Sequence, residues 1–130
     1  MIEFDSSAPI WRQLMNELAR RIAAGDWAPG ERIPGVRDLA ADFGVNPNTA
    51  QRALAELERT GLCRSERTAG RFVTDDPAQI DRARNDLARG AADDFIDRAR
   101  GLGMTESRAA ALIKERWNHR DHSSDSTEGA

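Results

Sequence analysis

"GVNPNTAQRAL", residues 44–54, decides how this chain folds. Gly44 permits the left-handed backbone that ends one helix, while Asn46 is a favoured N-cap and Pro47 a favoured first helical residue. The apolar period that follows, Ala50, Leu54 and Leu57 with Ala53 beside them, predicts a helix over about 47–60, stopped by Gly61. Opposite that inner face, on the first turns, stand Asn48, Thr49, Gln51 and Arg52. Taken alone they read as the solvated start of any helix. They are also residue types that hydrogen-bond base edges and phosphates, so the flanking sequence has to decide.

Upstream, "VRDLAADF" (36–43) makes a short helix with Val36, Leu39, Ala40 and Phe43 inward. Small Ala40 lets the two helices cross closely, and Val45 plugs the turn between them. Two short helices joined in this way form a helix-turn-helix, whose second helix can enter the DNA major groove. Further upstream, residues 9–24 place Ile10, Trp11, Leu14, Met15, Leu18 and Ile22 at helical spacing, with Pro9 at the start and Gly25 at the stop. Trp11 reads as core or interface. "GDWAPGERIPG" is a Gly- and Pro-rich loop with a very short strand at Arg32-Ile33. Downstream, "LCRSERTAGRFV" predicts a hairpin with its tip near Thr68 to Gly70, which completes a winged helix over residues 1–75. Arg67 and Arg71 flank that tip and serve either phosphates or solubility.

A second region starts at Asp76-Pro77, a capping Asp before a first-turn Pro. Ile80, Ala83, Leu87, Ala91, Phe95, Ala99 and Leu102 then recur in steps of three and four. "GLGM" breaks this helix, Thr105 caps another, and Ala109, Leu112, Ile113 and Trp117 give the second an apolar face. Two such stripes in so small a module predict packing against a second copy; the alternative is an intramolecular core. The expected seam holds Ile80, Leu87, Ala91, Phe95, Leu112, Ile113 and Trp117. Residues 76–118 therefore read as a helical dimerisation region, and the polar end, 119–130, as disordered. The fold class is mainly α with a small β-hairpin: a winged helix-turn-helix followed by a two-helix dimerisation tail.

Composition limits the function. The 130 residues carry 19 basic and 22 acidic side chains, a net charge of -3, so nucleic-acid binding requires a local basic face. All the basic residues except Lys114 are arginines, which suit bidentate contacts. One cysteine, Cys63, excludes an internal disulfide and points to a reducing compartment. The N-terminal stretch lacks the basic-then-apolar pattern of a signal peptide, and no apolar run approaches membrane-spanning length, so the expected location is the cytoplasm. Catalysis would need a nucleophile, base or metal set. Both histidines, His119 and His122, lie in the polar tail, and there is no phosphate loop and no zinc spacing. The expectation is no enzyme, no metal and no cofactor.

"PIWRQLMNELARRIAAGDWAPGERIPGVRDLAADFGVNPNTAQRALAELERTGLCRSERTAGRFV" (9–73) resembles the DNA-binding domain of GntR-type bacterial transcription regulators. The short tail resembles the YtrA subfamily, whose members carry only two helices there. The resemblance implies a homodimer on a palindromic double-stranded DNA operator. It also implies contacts at Arg37, Asn46, Asn48, Thr49, Gln51 and Arg52, and at the wing through Arg67, Thr68 and Gly70. Asn48 and Gln51 are then the adenine readers, Arg52 a guanine or phosphate contact, and Arg37 a phosphate contact. Three positions depart from the family pattern: Gly35 where many relatives have Ser, Pro47 where some have Arg, and Ala50 where a bulkier apolar residue is common. A repressor is the expected role. The alternative is a winged-helix protein–protein interaction module without DNA readout, which would not need Asn48, Gln51 and Arg52 exposed together. A small-molecule effector, if one exists, could bind at the dimer seam near Phe95 or Trp117.

Overall fold

The computed structural model describes residues 3–128, with side chains through residue 123. The element order is α1 (Ile10–Ala24), α2 (Val36–Phe43), α3 (Pro47–Arg59), β1 (Cys63–Glu66), β2 (Gly70–Val73), α4 (Pro77–Gly101) and α5 (Glu106–Glu128). The chain forms two units, Met1–Ala88 and Arg89–Ala130.

In the first unit α1 and α2 both pack on α3. The reason is the apolar periodicity: Leu14, Leu18 and Ile22 from α1, Leu39, Ala40 and Phe43 from α2, and Ala50, Ala53, Leu54 and Leu57 from α3 share one buried cluster. Ala50 and Ala53 are fully buried and small, which allows close helix approach. Val45 packs against this cluster from the turn, as its spacing predicts. That turn is sharp because Gly44 sits at φ 65°, where its N–H and that of Val45 return to the carbonyls at the end of α2.

The hairpin pairs antiparallel, with Cys63 opposite Val73 and Glu66 opposite Gly70. Arg32 adds a single bridge to Phe72, the whole of the short strand expected at 32–33. Around it Ile33 N donates to Arg71 O (2.8 Å) and Val73 N to Glu31 O (2.9 Å), which stitches the loop before α2 to the wing.

The first unit extends beyond residue 75. Ile80 is only 9% exposed and belongs to the core cluster, with Ala83 packed against it. Arg84 donates to the carbonyl of Ala23 at 2.8 Å. The first turns of α4 thus close the winged helix, and Ile80, expected at the dimer seam, is buried in its own chain's core. Periodicity located the apolar stripe but not the surface that covers it.

In the second unit α4 ends as expected. Gly103 has a φ of 79°, Met104 N reaches back to Ala99 O, and Thr105 Oγ1 accepts from Arg108 N to cap α5. Ala99 is buried and Phe95 half-buried, but Ile113 is 49% and Trp117 69% exposed. The backbone of α5 continues to Glu128, where disorder was expected from 119 onward. No Gly or Pro stands between Thr105 and Glu128 to stop it. Residues 129–130 lie outside the described residues.

Candidate nucleic-acid interface

The start of α3 is held by its own cap. Asn46 has extended backbone, and its Oδ1 accepts from Asn48 N at 2.8 Å. The carbonyl end of that amide is engaged, so its NH₂ end is the part left to meet a ligand. Along α3, Asn48, Gln51, Arg52, Ala55 and Arg59 are exposed, whereas Ala50, Ala53, Leu54 and Leu57 are buried. The exposed set falls within one face at 3.6 residues per turn. Thr49 is half-buried on its flank. Arg59, at the far end, is paired with Glu56 at 2.8 Å, so the unpaired polar groups gather on the first turns.

The wing packs against the loop before α2. Arg32, Pro34 and Gly35 face Ser65 to Arg71 across an open cleft. Arg32 Nε donates to the carbonyl of Ala69 at 2.9 Å. Ala69 N closes the tip turn onto Glu66 O, leaving Arg67 and Thr68 exposed at its apex. Gly70 follows at φ 103°, and a Cβ there would lie 3.2 Å from Arg32 Nε. Glycine is favoured here by the positive φ, and a Cβ would also crowd the Arg32 guanidinium. Gly35 starts α2 with no side-chain cap, placing exposed Arg37 in the first turn.

Arg71 behaves differently from its sequence reading, and Trp11, read as core or interface, lies outside the core cluster. Arg71 is only 21% exposed and lies 3.8 Å from the Glu58 carboxylate, which also accepts from Ser65 Oγ. It ties β2 to α3 rather than facing outward. Trp11 is half-buried, and the Arg52 guanidinium lies over its ring at 4.2 Å. Arg32 is the residue that reading the sequence missed. Its only sequence clue is the Gly-Pro loop around it, which does not reveal that the wing folds back to that point.

Charge is partitioned across this unit. Of the arginines before α4, Arg20 and Arg21 pair with Glu17, Arg59 with Glu56, Arg64 with Glu66 and Asp75, and Arg71 with Glu58. The hydrogen bond from Arg20 holds the Glu17 carboxyl below its usual range, with Arg21 adding to this and partial burial opposing it. Among the described residues no carboxylate pairs with Arg12, Arg32, Arg37, Arg52 or Arg67. Those five are the cations that the carboxylates of this unit leave uncompensated, on a chain of net negative charge.

The chain resembles known proteins in sequence and fold. Residues 11–73 match the family described as bacterial regulatory proteins, gntR family. The HTH-type transcriptional regulator YhcF of Bacillus subtilis is 32% identical over 112 residues, which cover 86% of this chain and 93% of that protein. The chain belongs to the GntR family. It is a transcription regulator by that membership, and its relatives are regulators rather than enzymes. The HTH-type transcriptional repressor YtrA of B. subtilis is 36% identical over 77 residues, covering 58% of this chain and 59% of YtrA. A GntR-family regulator from Listeria monocytogenes superposes with a TM-score of 0.76 at 35% identity, covering 86% of this chain and 98% of that one. The DNA-binding domain of AraR in complex with operator ORR3 superposes with a TM-score of 0.51 at 28% identity, covering 57% of this chain and 89% of that one. Among the described residues no helix is long and apolar enough to cross a membrane.

Proposed function

We propose that this GntR-family regulator is a repressor that binds a palindromic DNA operator as a homodimer. The start of α3 enters the major groove. Asn48 and Gln51 read base edges, Arg52 takes a guanine or a phosphate, and the Asn46 amide and Thr49 lie against the strand beside them. Arg37 and the wing residues Arg67, Thr68 and Gly70 meet the backbone or the minor groove. Its place of action is the cytoplasm.

The observation that carries this reading is the partition of charge. Carboxylates pair with Arg20, Arg21, Arg59 and Arg71, while Arg52 on the exposed, capped α3, Arg37 in the first turn of α2 and Arg67 at the wing tip are left without one. Phosphates are the natural counter-charge for such a set. The operator complex of the related AraR domain supports the DNA partner, and the similarity to YtrA, a transcriptional repressor, supports the sign of regulation.

The homodimer is supported by apolar side chains that the second unit leaves exposed: Ile96, Leu102, Leu112, Ile113 and Trp117. Ala91 and Phe95 belong to the same proposed seam, and Leu87, at 38% exposure in the first unit, is its N-terminal member. Two tethered half-site contacts bind with an effective concentration on the millimolar scale, which raises affinity about 10²–10⁴-fold over one.

The test is selection of operator sequences from random DNA, followed by light scattering of the protein alone and in the complex. A two-fold symmetric site with half-sites about one helical turn apart, or a multiple, and a dimeric mass are expected. Arg37→Ala should weaken all sequences alike and lower the salt slope by about one. A monomer with an unsymmetrical site, or no enriched site, would overturn the reading.

A further inference from the structure

We infer that Trp11 is a positioning residue for DNA reading: its indole holds the Arg52 guanidinium over its ring near the start of α3. The inference rests on the reading that this face of α3 meets the operator, and it assigns a role on that face to a residue of α1.

Periodicity makes Trp11 one of the apolar positions of α1, yet the tertiary structure does not use it as core. It is half-buried and is absent from both the buried cluster and the partly buried side chains packed on it. Instead it lies beside the exposed face of α3. Arg52 Cζ is 4.2 Å from the ring centroid, a stacking distance, and Arg12 Cζ is 5.4 Å away. Both lie within the reach of a cation–π interaction, and tryptophan is the best ring for it. Among the described residues no carboxylate competes for either guanidinium.

The chemistry follows from this contact. A guanidinium laid on an indole uses its face and leaves its N–H donors along its edge, in the fork that matches guanine or phosphate. An arginine free in solvent would lose rotamer freedom when it bound DNA; a stacked one has lost much of it already. The stack is rigid at its base because α1 packs on α3 through the fully buried Leu14 and Leu18. Arg12 brings a second positive charge to the same ring, which raises the local potential toward a phosphate.

The test uses the full chain and the selected operator. Binding and base preference are measured for Trp11→Ala, Trp11→Leu, Trp11→Tyr, Arg52→Ala and the Trp11→Ala/Arg52→Ala double variant. Trp11→Ala should weaken binding about 5- to 20-fold. It should lose preference at the same position as Arg52→Ala, and the double variant should bind no worse than Arg52→Ala alone. Trp11→Tyr should restore most of the loss, whereas Trp11→Leu, which keeps apolar bulk without a π face, should not. Thermal unfolding checks that each variant is folded, and the Leu and Tyr pair decides the matter if Trp11→Ala is not. Additive losses, a change at other base positions, or parent-like binding by Trp11→Leu would overturn the positioning role while leaving the DNA reading intact. Parent-like binding by Arg52→Ala would overturn both.

Discussion

Asn46 has two separable duties, and two substitutions pull them apart. Its Oδ1 caps α3 by accepting from Asn48 N at 2.8 Å, and its NH₂ faces outward at an exposed position. Asn46→Ala removes both. Loss of an N-cap costs about 1 kcal/mol, which lowers the melting temperature of a unit the size of Met1–Ala88 by roughly 4–8 °C. Asn46→Asp keeps the capping oxygen and adds a negative charge at the positive end of the helix dipole, worth about 0.3–1 kcal/mol in favour of the fold. It deletes the amide donor, however, and sets a carboxylate where phosphates are proposed to approach. A lost hydrogen bond to a charged group is worth about 1.5–3 kcal/mol, so operator affinity should fall at least about tenfold. Asn46→Asp should therefore melt at or above the parent temperature yet bind poorly, while Asn46→Ala loses on both counts. Differential scanning calorimetry and a gel-shift titration at fixed salt give the two readouts. If Asn46→Asp binds the operator as tightly as the parent, the start of α3 is not at the DNA.

The remaining predictions concern the wing, the two units and the cysteine. Gly70→Ala forces an L-residue to a φ of 103° and pushes Arg32 off the Ala69 carbonyl; it should cost roughly 1–2 kcal/mol and speed proteolysis at the wing. Ile80→Ala should destabilise the first unit by about 2–4 kcal/mol in a urea titration. Phe95→Ala should leave that unit's unfolding unchanged and shift the mass measured by light scattering toward the monomer. Burial, reinforced by the Glu58 carboxylate and opposed by Arg71, pushes the Cys63 thiol from 9.0 up to about 11. At pH 8 its thiolate fraction is about 10⁻³, so thiol labelling should be slow until the chain unfolds. The raised value contributes stability that is fully present below pH 9 and is lost as the pH rises through about 11. Fast labelling of the native chain would contradict the buried placement.

Much of this protein is legible without coordinates because its instructions are local. Gly44, Asn46 and Pro47 specify a helix stop, a cap and a first turn through backbone geometry that no distant contact alters. The period of Ala50, Leu54 and Leu57 marks which face of α3 is buried, and so which face carries Asn48, Gln51 and Arg52. The hairpin needs only its turn residues, and the match of residues 11–73 to the gntR family reflects the same local order. What the sequence leaves open are the choices among partners. Ile80 and Phe95 occupy equivalent places in one apolar stripe, yet Ile80 lies buried in the winged-helix core and Phe95 does not. Arg71 and Arg67 flank the same tip, but only Arg71 turns back toward Glu58. Arg32 reaches the wing, and Trp11 supports Arg52 rather than the core, because segments far apart in the chain are brought together. Spacing along a chain determines which side chains share a face; only the packed structure determines what that face meets.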